Sequence, residues 1–67
     1  MSATVDFYLT RAEESAKAAS ETTLSNVRER CLRSEAAWRT MAERLMRTEA
    51  KKQQDAADKA RLREEQI

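Results

Sequence analysis

Not one glycine or proline occurs in the 67 residues of this chain. Glycine supplies the positive φ of tight hairpin turns and of phosphate-cradling loops, and proline punctuates turns and strand edges. Without either, the chain has few ways to reverse sharply or to end a strand. Alanine, Glu, Arg, Lys, Gln and Leu dominate instead, and these are the strong helix formers. The fold class expected is all-α.

Helical periodicity begins at Val5. Val5, Tyr8, Leu9, Ala12, Ala16 and Ala19 share one face at 100° per residue. Ser2 or Thr4 is placed to cap the first backbone N–H groups, and Asp6 suits the positive end of the helix dipole. The pattern stops at Ser20-Glu21-Thr22-Thr23, a polar and partly β-branched cluster, after which Thr23 or Ser25 would cap a second helix. From there Leu24, Val27, Cys31, Ser34, Trp38, Met41, Leu45 and Thr48 follow in alternating steps of three and four, the seam of a bundle or coiled coil. The architecture expected is an antiparallel helical hairpin, a short helix over about 5–19 and a long one over about 24–63. Residues 1–46 would hold the packed core. Residues 47–67 would form a charged helical tail with six basic and five acidic side chains, and pairs such as Asp55–Lys59 and Glu49–Lys52 would support it.

Such a hairpin is short of core. Below roughly 70–80 residues a single core rarely supplies more than about 3–5 kcal/mol, and staples or oligomerisation are usual. One cysteine allows no internal disulfide, and without histidine no ordinary zinc cage can be assembled. Twelve of the apolar residues are alanines, which bury little area each. Folding the helices about residues 20–23 sets Ala19 by Leu24, Ala16 by Val27, Ala12 by Cys31 and Leu9 by Ser34, with Val5 and Tyr8 meeting Trp38. Met41, Leu45 and Met46 then lie beyond the first helix, on an overhang of about 40 Å at 1.5 Å per residue. Phe7 points away from the Val5–Ala19 face, and Leu32 and Met46 extend the apolar band round the flank of the second helix. A second copy would cover them. The expectation is a homodimer, a four-helix bundle or coiled coil with Phe7, Leu32, Trp38, Met41, Leu45 and Met46 at the interface.

Chemistry is harder to find. Trp38 belongs to a residue type enriched at binding hot spots, but its place in the heptad favours the bundle core. Cys31 has Arg28, Arg30 and Arg33 nearby in sequence, yet Arg30 and Arg33 project away from its stripe, so an inert core thiol is expected. Glu13, Glu14, Glu29, Glu35 and Glu43 could supply carboxylates to a bundle, but the di-iron pattern also needs histidine. No catalytic, cofactor or metal site is expected, and no enzymatic activity. One constellation competes with a purely structural reading: Arg30, Arg33, Arg44, Arg47 and Lys51 line the outer face of the second helix and could follow a nucleic-acid backbone. Against it stand Glu29 and Glu43 alongside, Asp55 and Asp58 continuing the stripe, and a formal net charge of only +1. No apolar run reaches the ~18–20 residues that span a bilayer. The opening MSATVDFY lacks the basic-then-apolar order of a secretory signal, and a lone thiol fits a reducing cytoplasm.

Tyr8, Arg11-Ala12-Glu13-Glu14, Ala19, Arg28, Leu32, Trp38 and Met41-Ala42 together resemble a group of short uncharacterised alphaproteobacterial proteins. Their pattern is a Tyr-x-x-Arg-Ala-Glu-Glu start, then an Arg and leucines, then a Trp followed by a Leu/Met-Ala pair. The likeness spans residues 8–42. The chain departs from the pattern with Leu24-Ser25 in place of an Asp-Pro helix start, with Glu35 in place of alanine, and with its charged tail. The resemblance implies a bacterial helical hairpin and transfers no activity and no site residues. The sequence thus leads to a small, cytoplasmic, self-associating helical interaction or adaptor protein. The alternative is a nucleic-acid accessory protein using the basic stripe.

Overall fold

The computed structural model describes residues 3–66, which form two α-helices, α1 (Ala3–Glu21) and α2 (Ser25–Glu65), joined by residues 22–24. The helices pack against each other as a hairpin, and no strand occurs among the described residues. The all-α hairpin is the one expected, but its boundaries differ. α1 extends past 5–19 at both ends, and α2 continues past 63.

Ser20 and Glu21 do not stop α1. The Ser20 hydroxyl donates to the Lys17 carbonyl at 2.8 Å, and Lys17 Nζ lies 3.9 Å from Glu21, so both polar side chains are accommodated within the helix. The chain reverses one step later, at Thr22-Thr23-Leu24, with no positive φ among the described residues. Thr22 is held from two sides. Its hydroxyl accepts from the Leu24 N–H at 3.2 Å, and its carbonyl accepts from the Arg28 guanidinium at 3.0 Å. A cation on a carbonyl just past a helix C-terminus also complements the dipole. In the first turn of α2 the Arg28 N–H reaches the Leu24 carbonyl at 2.9 Å.

The expected N-caps fare differently. Thr4 lies inside α1, and Ser2 lies outside the described residues. The residue before α2 is Leu24, extended at φ −87° and ψ 117°, with no side-chain cap bond; neither Thr23 nor Ser25 takes the role.

The later turn moves the register. A reversal about 22–24 instead of 20–23 sets each α1 residue against one about three further along α2, nearly a full turn. Met41, Leu45 and Met46, expected beyond α1, are accordingly half-buried within the single hairpin. The buried positions are Val5, Ala12 and Ala19 on α1 and Ala42 on α2. The three on α1 repeat every seven residues and are small, which lets the two backbones approach closely. No polar side chain among the described residues is buried.

On α2 the buried face follows the heptad stripe only in part: Val27, Cys31, Trp38, Met41 and Leu45 are half-buried. Ser34 and Thr48 are exposed, and Leu24 is 60% exposed, whereas Glu35, Ala42 and Glu49 are covered or half-covered. Val27, Trp38 and Glu49 are spaced by eleven, as are Cys31 and Ala42 and also Glu35 and Met46. At 100° per residue a seven-residue stripe drifts about 20° one way per repeat and an eleven-residue stripe about 20° the other way, so the eleven-residue stripe drifts more slowly along the helix. Glu35 tolerates its position because Arg39 Nε and Nη2 both reach its Oε2 at 2.9 Å.

Past Glu49 every described residue except Asp58 is exposed. The arm is stiffened locally by Lys51–Asp55 at 3.6 Å and Asp58–Arg61 at 3.4 Å, not by the expected Asp55–Lys59 and Glu49–Lys52 pairs. The molecule is a rod of 66 × 16 × 11 Å with a radius of gyration of 18.4 Å, against about 11 Å for a compact chain of this length.

The uncapped start of α2 gives a direct expectation. Leu24→Asp should stabilise the hairpin by about 1 kcal/mol, since it supplies the missing acceptor and a charge suited to the dipole. Urea unfolding followed by circular dichroism at 222 nm would read this as a raised midpoint at unchanged slope.

Candidate interaction site

Trp38 is the centre of the only aromatic cluster among the described residues. The first turns of α1 deliver Phe7 and Tyr8 to it, and the three rings lie within 6.0 Å of one another, centroid to centroid. Phe7 meets Trp38 edge to face at 5.9 Å and 90°, the arrangement the ring quadrupoles favour. One turn further on, the Arg11 guanidinium carbon sits 5.4 Å from the Trp38 ring centroid, while its Nη1 lies 3.4 Å from Glu14 Oε2. Trp38 therefore carries two aromatic rings and a guanidinium as neighbours, and remains half-buried. Tyr8 was expected against Trp38 and is there. Phe7 was expected on the far side of α1; it makes the T-shaped contact with Trp38 and stays 54% exposed.

Beside this cluster is a shallow, open groove of about 270 Å³ lined by Tyr8, Met41, Arg44, Leu45 and Thr48. The register shift creates it, because only a turn late enough to carry Tyr8 towards Leu45 and Thr48 can close one wall. Thr48, expected in the seam, instead turns its hydroxyl back to the Arg44 carbonyl at 3.0 Å and lines the groove.

The six expected interface residues fall into two groups. Phe7, Trp38, Met41 and Leu45 gather on the groove flank. At 100° per residue Leu32 lies on the opposite side of α2 from Met41, and Met46 about 140° from it. Leu32 is 47% exposed and Met46 half-buried. Cys31 is free and half-buried in the seam between the helices. Arg11 escaped the sequence reading. Its signal was the three-residue step from Tyr8, which places both side chains on neighbouring turns facing Trp38.

Arg30, Arg33, Arg44, Arg47 and Lys51 are all exposed. Lys51 is paired with Asp55, while the four arginines have no carboxylate at ion-pairing distance among the described residues. No group of His, Cys, Asp and Glu side chains there is arranged to hold a metal ion. No described helix is long and apolar enough to cross a membrane. Compared with protein-family models, curated proteins and solved structures, the chain matches none of them.

The cluster predicts the response to truncation. Trp38→Ala should cost about 3 kcal/mol, the low end for removing a large aromatic from a packed site. Arg11→Met should cost under about 1 kcal/mol, the scale of an exposed cation–π contact. Chemical denaturation of both variants, followed by helicity, separates these outcomes.

Proposed function

We propose that this chain is a self-associating helical interaction module, with a homodimer as its working unit. One observation carries the reading: among the described residues the hairpin buries one valine and three alanines, while Phe7, Leu24, Leu32 and Leu62 remain about half exposed or more. A core that small sits at the lower limit of what holds a monomer together. A second hairpin laid alongside would enclose the half-covered Trp38, Met41 and Leu45 in a four-helix arrangement with two-fold symmetry. The long exposed arm of α2 suits a module that displays a helix to other proteins.

A second reading rests on the four unpaired arginines. Together with Lys51 they span about 31 Å of α2, enough to follow a phosphate backbone. The carboxylates interleaved with them and the formal charge of +1 make this the lesser reading.

Two measurements test these proposals. Light scattering across micromolar concentrations should show a dimer that persists in half-molar salt, and Leu45→Ala should weaken it by about 2–5 kcal/mol while Leu62→Ala leaves it nearly unchanged. A stable, fully helical monomer ends the first reading. In a low-salt gel shift with mixed DNA and RNA, Arg33→Gln/Arg47→Gln should make no difference because nothing binds. Micromolar binding that this pair of substitutions abolishes, with a shallower salt slope, would replace the first reading by the second.

A further inference from the structure

We propose that two copies of this chain join by a reciprocal knob and socket, the Phe7 ring of each copy seated in the other's groove of Tyr8, Met41, Arg44, Leu45 and Thr48. The inference rests on the self-association reading and specifies its contact. Three observations carry it.

The first is size. The groove is a shallow, widely open hollow of about 270 Å³, below the roughly 300–1,000 Å³ typical of small-molecule sites. It has room for one ring-sized side chain, the usual occupant of a small apolar hollow at an interface.

The second is placement. Phe7 is 54% exposed, and its ring centroid lies 6.0 Å from that of Tyr8, which is itself a wall of the groove. Knob and socket are thus adjacent on one flank of one hairpin. A self-complementary patch of that kind closes under a two-fold axis: what the first copy inserts, the second receives, and the reverse. No unpaired socket is left to propagate a filament.

The third is chemistry. Met41 and Leu45 offer apolar walls, Tyr8 an aromatic one, and Arg44 stands at the rim with no carboxylate at ion-pairing distance among the described residues. A guanidinium without an ion partner beside a hollow suits the face of an incoming aromatic ring. The same pairing already occurs within the chain, where Arg11 covers Trp38. Phe7 is also held ready for insertion, because its edge-to-face contact with Trp38 fixes its direction while leaving it accessible.

The test uses the full chain and two variants, Phe7→Ala, which removes the knob, and Thr48→Trp, which fills the socket. Sedimentation equilibrium of each alone should show self-association weakened at least about tenfold, the scale of losing a central aromatic anchor. Mixed in equal amounts they should pair more tightly than either does alone, because the mixed dimer regains one intact knob and socket. Circular dichroism reports whether each variant keeps its helicity. A wild-type chain that stays monomeric overturns both this proposal and the self-association reading. A wild-type dimer that Phe7→Ala leaves intact overturns the knob and socket alone. Loss of association in Thr48→Trp but not in Phe7→Ala would assign the groove to another segment of the second copy, and failure of the mixture to recover would likewise remove Phe7 as its occupant.

Discussion

The place where the chain reverses governs nearly everything else in this hairpin. Thr22 takes a hydrogen bond on its hydroxyl from Leu24 and another on its carbonyl from Arg28, so the turn is tied both to itself and to the first turn of α2. With no glycine available to enter the left-handed region, the turn is built from β-branched and extended residues, closed by side-chain bonds in place of backbone ones. Its position sets how far α1 reaches. A turn one or two residues earlier would leave Tyr8 short of Leu45 and Thr48, and the groove would lack a wall.

Packing between the helices follows from the same constraint. Alanines at Ala12, Ala19 and Ala42 permit close approach along the seam, and the larger side chains are displaced to its flanks. Close approach contributes dispersion and excludes water but buries little apolar area per residue. The structure is thus narrow and well zipped in its middle, with its bulky groups gathered at the open end round Trp38. The distribution explains why the proposed dimer draws on that end. That is where apolar surface remains to be covered and where the shape is least flat.

The arm beyond Glu49 obeys different physics. Its helicity depends on alanine, glutamine and charged residues with good intrinsic propensity and on i,i+3 and i,i+4 pairs worth a few tenths of a kcal/mol each. Gln54 adds a bond to Asp58 at 3.0 Å, so Asp58 accepts from both Gln54 and Arg61. Among the described residues every side chain of this segment except Asp58 is exposed. Its role in the proposed module is to extend the helix displayed by the core.

The sequence by itself determined the fold class and the two-helix order. Missing glycine and proline leave helix as the economical structure, and only one polar cluster could host a reversal. It also determined that Tyr8 and Trp38 would meet, since any antiparallel fold about residues 20–24 brings them within a turn of each other. The tertiary structure alone decided the register, the turn at 22–24, and the face of α2 that is buried. Periodicity reports which residues are apolar, and a heptad and an eleven-residue stripe share most of theirs here: Val27, Cys31, Trp38 and Leu45 belong to both. The choice falls to Glu35 over Ser34 and Ala42 beside Met41, substitutions of polar or small residues that hydropathy does not reward. Glu35 enters the seam because Arg39 neutralises it, and Ala42, fully covered, because a small side chain fits beneath α1. Both reasons concern what stands across the seam, and a pattern read along one strand of sequence cannot contain them.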